Sequence, residues 1–320
     1  MSAAGPGGAD AGGTAAPQIT VIILTFQEAS NIVGCLESVR WSDDVVIVDS
    51  GSTDGTVETA LAAAPQVRVF RNPFVDFGQQ RNWALDTVAP RHPWVLFLDA
   101  DERTTPAGVA EMARLVADPG DRVGYFLCGR NYFLGRWIRH CQLYPSWQLR
   151  LLRVGRVRYR KEGHGQREVA DGPLGHVREP YDHLNVSKGI ADWISRHNHY
   201  STAEIELVAR LRGEPLAPGD LFTLDGVRRR RFLKRLLARV GCRPAIQFVY
   251  TYLLRGGFLD GYPGFVYCLL RCAHEMHITA KLAESAAFQR GVPPDHGPPA
   301  RGGVPDRRGA GPRSAGEPRG

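Results

Sequence analysis

The first hundred residues alternate between two hydrophobic patterns. Short, mainly apolar runs of strand length occupy residues 19–24, 45–48, 67–70 and 94–98. Between them, apolar residues recur at helical spacing over residues 28–39, 53–63 and 77–87. Short apolar runs that alternate with helices are typical of parallel strands that are buried on both faces. The pattern therefore predicts an α/β fold, with βαβ units and a mostly parallel sheet flanked by helices.

Polar clusters follow three of these strands, at residues 25–28, 49–54 and 99–101. Ligands of open parallel sheets bind beyond the carboxyl ends of the strands, so we expect the three clusters to line one crevice. The D-x-D spacing lets Asp99 and Asp101 approach the same point, where a divalent cation such as Mg²⁺ or Mn²⁺ would accept them. The alternative interpretation is a turn before a helix that begins near Pro106.

The second cluster, V-D-S-G-S-T-D-G-T over residues 48–56, combines a strand-end acid with a glycine-containing turn. A carboxylate here can accept a base N–H, and turn amides near a helix start favour a phosphate or ribose. No G-x-G-x-x-G sequence follows the first strand. Its absence argues against an enzyme that uses a nicotinamide or flavin cofactor.

The pattern changes after Gly120. Two further strands are predicted at residues 123–127 and 147–152, and a helix at 189–212. Apolar stretches at 245–254 and 258–282 are interrupted, and neither reaches the roughly 20 apolar residues that span a bilayer. We therefore predict a catalytic domain over residues 18–188 and a helical, membrane-associating extension over 189–288. The Gly-, Pro- and Arg-rich ends, residues 1–17 and 289–320, are predicted to be disordered.

The net charge of +7 is unevenly distributed, because residues 228–235 contain six cations in eight positions. This run favours an anionic membrane surface as a partner, and a solvated helix face is the alternative. No nucleic-acid-binding motif accompanies it, so a nucleic acid is not expected. Residues 1–17 lack an apolar signal region, and the six cysteines form no C-x-x-C pair. We expect a cytoplasmic protein, peripheral at the inner face of the cell membrane.

Four motifs together carry a resemblance. T-F-Q-E, D-S-G-S-T-D-G-T, G-Q-Q-R-N-W-A and D-A-D, in that order, resemble family 2 glycosyltransferases, which have the inverting GT-A fold. F-L-D-A-D-E-R, P-S-W-Q-L-R-L and G-F-L-D-G-Y-P-G-F resemble the lipopolysaccharide-core β-1,4-glucosyltransferase subfamily. The resemblance covers roughly residues 18–285. It implies a hexosyltransferase that moves a sugar, with glucose the first guess, from a UDP-linked donor to an envelope glycan or lipopolysaccharide-type acceptor.

The resemblance also implies roles for individual residues. Asp49 would contact the uracil, Arg81 the base or diphosphate, and Asp99 the ribose. Asp101 would ligate Mg²⁺ or Mn²⁺ directly, with Asp99 taking part in metal binding. The predicted nucleotide-sugar site comprises Thr25, Gln27, Glu28, Asp49, Ser52, Asp54, Arg81 and Asp99.

The catalytic base is expected beyond the nucleotide half. The resembling subfamily has a His-Glu dipeptide where this chain has Arg167 and Glu168. Glu168 is the predicted base, and Asp171 and Glu162 are the alternatives. A mixture of cations and aromatic rings predicts a site for a phosphorylated glycan or glycolipid acceptor, at Arg130, Trp137, Arg139 and His140. Four histidines are interpreted as structural or acceptor-facing, namely His176, His183, His197 and His199.

Two other functions remain open on the sequence alone. A polyprenyl-phosphate sugar transferase would share the fold and differ in its acceptor. A non-catalytic module that binds a nucleotide sugar would share the crevice and lack the reaction. Aspartates at positions 99 and 101 together with Arg81 argue against the second alternative.

Overall fold

The computed structural model describes residues 17–162 and 165–290. The tails predicted at 1–17 and 289–320 lie outside this part of the chain, apart from residues 17, 289 and 290. The chain divides into two compact units, each defined by the contacts among its own residues. In their described parts, the first comprises residues 17–200 and 242–275, and the second comprises residues 201–241 and 276–290. The predicted division at residue 188 stays a prediction.

The first unit is built on a mixed sheet in which four neighbouring strands are parallel, in the order β3-β2-β1-β4. The antiparallel strand β8 continues the sheet beside β4, and β6 follows it. The strands within the described residues are β1 (Ile19–Thr25), β2 (Val45–Asp49), β3 (Arg68–Arg71), β4 (Trp94–Asp99), β5 (Glu102–Arg103), β6 (Gly124–Phe133), β7 (Arg136–Trp137), β8 (Trp147–Arg153), β9 (Val157–Glu162), β10 (Gly165–Ala170), β11 (Leu174–His176) and β12 (Tyr181–His183).

Helices cover the sheet and form the C-terminal region. They are α1 (Ile32–Ser38), α2 (Thr56–Ala63), α3 (Phe77–Thr87), α4 (Pro106–Ala117), α5 (Ile190–Gly213), α6 (Gly226–Arg239), α7 (Arg243–Phe248) and α8 (Gly261–Gln289). A π-helical segment, Val249–Leu254, follows α7, and 3₁₀ turns occupy Pro218–Leu221 and Gly257–Asp260. Within residues 17–162 and 165–290, no helix has the length and apolar content to cross a membrane.

The parallel strands are buried because apolar side chains point to both faces of the sheet. Along β1, Ile23 joins one hydrophobic cluster and Ile22 joins the cluster on the opposite face. Asp76 fixes the start of α3 by accepting a hydrogen bond from the backbone N–H of Gln79 at 2.8 Å. The core thus holds the carboxyl ends of the four strands at one edge, as the sequence predicts.

Two small pairings place further residues at this edge. Strand β12 lies parallel to β6 and antiparallel to β5, with His183 opposite Glu102. Strands β9 and β10 form a separate antiparallel hairpin. Asn82 of α3 holds that hairpin by exchanging two hydrogen bonds with the backbone of Tyr159, at 2.8 and 3.0 Å. Neither pairing was predicted from the sequence.

Candidate active site

A crevice of about 290 Å³ lies at the carboxyl ends of β1, β2 and β4. Thr25 and Glu28 line it from the first predicted cluster, Ser50 from the second, and Asp99 and Asp101 from the third. The three polar clusters therefore meet, as the sequence predicts. Three exposed phenylalanines that sequence reasoning missed also line it, namely Phe26, Phe74 and Phe77.

Asp49 organises the loop beneath the crevice. Its side chain is 1% exposed, and it accepts hydrogen bonds from the hydroxyls of Thr25 and Ser52 at 3.0 and 2.5 Å. The backbone N–H groups of Gly51 and Ser52 donate to its other oxygen at 3.0 and 2.9 Å. A carboxylate has about four acceptor positions, so internal donors occupy Asp49 fully. Its predicted contact with a base stays a prediction.

Gln27, Ser52 and Asp54 join the first two loops. Gln27 has a positive φ of 57°, and its backbone N–H donates to the Ser52 hydroxyl at 2.9 Å. Asp54 accepts from the backbone N–H of Ala29 at 3.0 Å. These bonds hold the loops together, and none of the three side chains is among the residues that line the described crevice.

Glu28 faces the crevice and pairs with Lys188 at 2.5 Å. Burial raises the pKa of Glu28, while hydrogen bonds from Asn31 and Lys188 oppose the rise. The pairing ties the loop after β1 to the segment after β12. Both segments border Asp101.

Arg150 of β8 is the main residue that sequence reasoning missed. Its side chain is 3% exposed, and its Nη2 donates to Asp99 at 2.9 Å and to Glu102 at 2.6 Å. Burial alone would raise the pKa of Asp99, but the charges of Arg150 and then Arg81 lower it to about 2. Burial raises the pKa of Glu102 to about 7 against the charge of Arg150. An arginine within an apolar strand was the available signal.

Arg81 of α3 approaches the other carboxylate oxygen of Asp99, with Nη2 3.7 Å from Oδ1. Only 4% of the residue is exposed, and its guanidinium lies 5.7 Å from the ring centres of both Phe97 and Tyr159. Its Nη1 donates to Gln166 of β10 at 2.8 Å. The arginine therefore links the acidic strand end to the β9–β10 hairpin. It is not among the residues that line the described crevice, and its predicted contact with base or diphosphate stays a prediction.

Asp101 lies next to a histidine. Its Oδ2 is 3.4 Å from Nε2 of His183, which the pairing of β12 with β5 brings there. Burial alone would lower the pKa of His183, but Asp101 raises it through a hydrogen bond and its charge. The Asp101 carboxylate supplies the oxygen ligands that Mg²⁺ and Mn²⁺ prefer, and a cation there would complete its shell with a ligand's oxygens. In the described part of the chain, no group of three or more His, Cys, Asp or Glu side chains is arranged to hold a metal.

Glu168 lies on the face of the hairpin that points toward Arg81. It pairs across the hairpin with Tyr159, whose ring packs against the Arg81 guanidinium. It also shares a strand face with Gln166, two residues away, which accepts from Arg81. Asp171, one of the alternatives, pairs with Arg156 at 2.6 Å in an exposed position. The side chain of Glu162 lies outside the described residues.

The four predicted acceptor residues cluster, but away from the crevice. Arg130 and Arg139 lie 5.9 and 5.6 Å from the ring centre of Trp137. Arg130 donates to Asp182 at 2.7 Å, and the backbone N–H groups of Arg139 and His140 donate to Asp260 at 3.2 and 2.8 Å. None of the four is among the residues that line the described crevice.

Comparison with known proteins identifies the class. Residues 20–167 match the model of glycosyl transferase family 2. The chain therefore carries a family 2 glycosyltransferase domain with a GT-A-like α/β fold, and the protein is a glycosyltransferase. The predicted family 2 domain, α/β fold and glycosyltransferase class are confirmed, whereas the glucosyltransferase subfamily and the membrane association of the C-terminal extension stay predictions.

Individual relatives are more distant. The chain is 28% identical over 278 residues to the lipopolysaccharide core biosynthesis glycosyltransferase LpsC of Rhizobium meliloti, covering 85% of this chain and 94% of that protein. It is 25% identical over 201 residues to the glycosyltransferase SunS of Bacillus subtilis, covering 61% and 43% of the two chains. The crystal structure of S. aureus TarS 1–349 is similar over 86% of this chain and 92% of that one, with 13% identity and a TM-score of 0.38.

Proposed function

We propose that the protein transfers a hexose, with glucose the first candidate, from a UDP-linked donor to a lipopolysaccharide-type glycan, with inversion and metal assistance. One observation carries the proposal. Asp99 and Asp101 lie at the carboxyl end of β4 with Arg81, Arg150 and His183 around them. Such a site combines a cation-binding carboxylate with positive charge for a diphosphate.

The donor would lie in the crevice. Asp101 and His183 would hold the cation, and Asp99 would contact the ribose. When bound, the cation neutralises charge on the departing diphosphate. Arg150 keeps Asp99 ionised and fixes its direction, and Arg81 adds positive charge near the other carboxylate oxygen. The exposed rings of Phe26, Phe74 and Phe77 offer a stacking surface for the base.

Glu168 would act on the acceptor. As its carboxylate takes the hydroxyl proton, the acceptor oxygen forms a bond to the anomeric carbon, and the bond from that carbon to the diphosphate breaks. Attack from the side opposite the leaving group inverts the anomeric centre. The hairpin supports this role because it points Glu168 toward the side of Arg81 and Asp99.

Two observations support an acceptor at the membrane surface. The relative LpsC is named for lipopolysaccharide core biosynthesis, and it matches most of this chain. Helix α6 carries four consecutive exposed arginines, Arg228 to Arg231. Each cation near an anionic lipid surface contributes about 1 kcal/mol. We therefore propose that the protein acts at the inner face of the cell membrane.

The test is release of UDP or GDP from a panel of nucleotide sugars, with and without Mn²⁺, in the presence of lipopolysaccharide acceptor. We expect UDP release from one sugar, dependent on metal. Asp101→Asn should raise the Mn²⁺ concentration required at least tenfold, because it removes a charged ligand. Metal-independent turnover, or no release from any donor, would contradict the proposal. Labelled product that extracts with polyprenol instead of lipopolysaccharide would favour a polyprenyl-phosphate acceptor.

A further inference from the structure

A second and larger cavity, of about 510 Å³, lies next to the crevice in the same unit. Strands β6 and β8 form one side, and the π-helical segment 249–254 with α8 forms the other. His183 and Asn185 line both the cavity and the crevice. The two spaces therefore adjoin beside Asp101, at the end of β12.

The lining of this cavity carries positive charge and no carboxylate among the described residues. Arg255 and Arg271 line it, and no aspartate or glutamate is among its lining residues in the described chain. Arg255 donates to the carbonyl oxygen of Gln142 at 2.7 Å. Across residues 17–162 and 165–290, neither arginine forms an ion pair with a carboxylate. Two arginines without a protein counter-charge, facing one cavity, favour a bound carboxylate or phosphate.

The rest of the lining suits a sugar. Side-chain amides of Asn131, Gln148 and Gln247 offer both donors and acceptors to hydroxyl groups. The rings of Tyr250 and Tyr267 add flat apolar surface with a polar end. Tyr250 belongs to the π-helical segment, a distortion that is frequent at functional sites.

We propose that this cavity is the acceptor site and that it binds a saccharide bearing a carboxylate or phosphate, which Arg255 and Arg271 recognise. The proposal rests on the proposed transfer reaction, and it replaces the predicted acceptor residues Arg130, Trp137, Arg139 and His140, none of which is among the residues that line the described cavity. Because His183 lines both spaces, an acceptor bound in the cavity would lie next to the donor crevice.

The first measurement is binding by calorimetry, with UDP and Mn²⁺ present to fill the crevice. The probes are glucose, glucose 6-phosphate and glucuronate. We expect one charged sugar to bind about ten to one hundred times more tightly than glucose, as charged hydrogen bonds predict. Arg271→Gln should remove the preference, and Arg271→Lys should retain part of it. Arg40→Gln, in an exposed position far along the chain, is the control. Equal binding of all three sugars, or a preference unchanged in Arg255→Gln and Arg271→Gln, would overturn the proposal.

The second measurement is transfer to core oligosaccharide in three forms: native, dephosphorylated, and amidated at its carboxylates. Loss of the recognised group should raise the acceptor KM about tenfold or more in the wild type. The same loss should have little effect in Arg271→Gln. The treatment that raises KM identifies phosphate or carboxylate as the ligand. Charged-sugar binding without any transfer would reject the proposed reaction and leave only the recognition of an anionic sugar by Arg255 and Arg271 standing. Transfer that ignores both treatments would reject the cavity assignment alone.

Discussion

Replacing Arg150 with methionine tests how much the ion pairs of Arg150 with Asp99 and Glu102 stabilise the folded protein. The guanidinium bridges Asp99 and Glu102, and the side chains of Arg150 and Glu102 are 3% and 1% exposed. Methionine fills similar volume without charge. Both carboxylates would then lose their nearest cation, and Glu102 would remain buried.

The expected cost follows from the burial. Removing one partner of a buried ion pair destabilises a protein by about 3–5 kcal/mol when the other partner stays charged. Glu102, whose pKa already lies at about 7 beside Arg150, would instead take up a proton, which limits the loss. The Asp99 side chain is 37% exposed, so water screens part of its interaction with Arg150. We therefore expect a loss of about 3 kcal/mol at pH 7, the lower end of that range. Arg150→Lys should lose less, because it keeps the charge but contacts one carboxylate at a time.

Urea unfolding followed by tryptophan fluorescence measures this change. The matched control is Arg156→Met, which breaks an ion pair of the same 2.6 Å length to Asp171, with side chains 41% and 59% exposed. Exposed pairs contribute about 0–1 kcal/mol. If Arg150→Met costs no more than the control, burial does not determine the energy of this network and the reasoning fails.

Three further predictions concern the catalytic base, the pH dependence of stability and the binding of α6 to anionic membranes. Glu168→Gln should lower kcat by about 10²–10⁴-fold, as loss of a general base does, while Asp171→Asn stays near wild type; equal effects in a UDP-release assay would contradict the assignment. Burial lowers the pKa of His197 to about 4. The free energy of unfolding should therefore fall by about 2 kcal/mol as the pH is lowered from 6.5 to 4, because the unfolded chain binds the proton at a higher pH than the folded chain does. His274, Arg271 and Arg196 also face His197 and lower its pKa further. His197→Gln should flatten this part of the unfolding profile, and an unchanged profile would contradict the assignment to His197. Replacing Arg229 and Arg231 with glutamine should weaken binding to anionic vesicles about thirtyfold, at roughly 1 kcal/mol each, with sedimentation on neutral vesicles unchanged.

The parallel half of the fold could be predicted because its signals are local. Apolar runs bounded by polar turns set β1 to β4, and α3 begins and ends at the predicted residues 77 and 87. The short strands β5, β11 and β12 gave no such signal. Each has two or three residues, and long-range pairing rather than local periodicity creates it.

The candidate site divides in the same way. Asp99, Asp101 and Glu28 follow strands that the sequence reveals, so their meeting in one crevice could be predicted. Arg150 and His183 come from β8 and β12, 51 and 82 residues beyond Asp99 and Asp101. Their contacts depend on strand register, which one sequence without a known partner strand does not define.

Strand register also gives Asp99 and Asp101 different charged neighbours. Arg150 and Arg81 both contact Asp99, whereas Asp101 contacts His183 and no arginine in the described part of the chain. An arginine competes with a cation for the same carboxylate oxygens, so Asp99 is less available to a metal ion than Asp101 is. Asp101 keeps an oxygen available for a metal. Under the proposed reaction the two aspartates therefore differ in role: Asp99 stays paired with the two arginines, and Asp101 would offer the carboxylate that a cation and a diphosphate share.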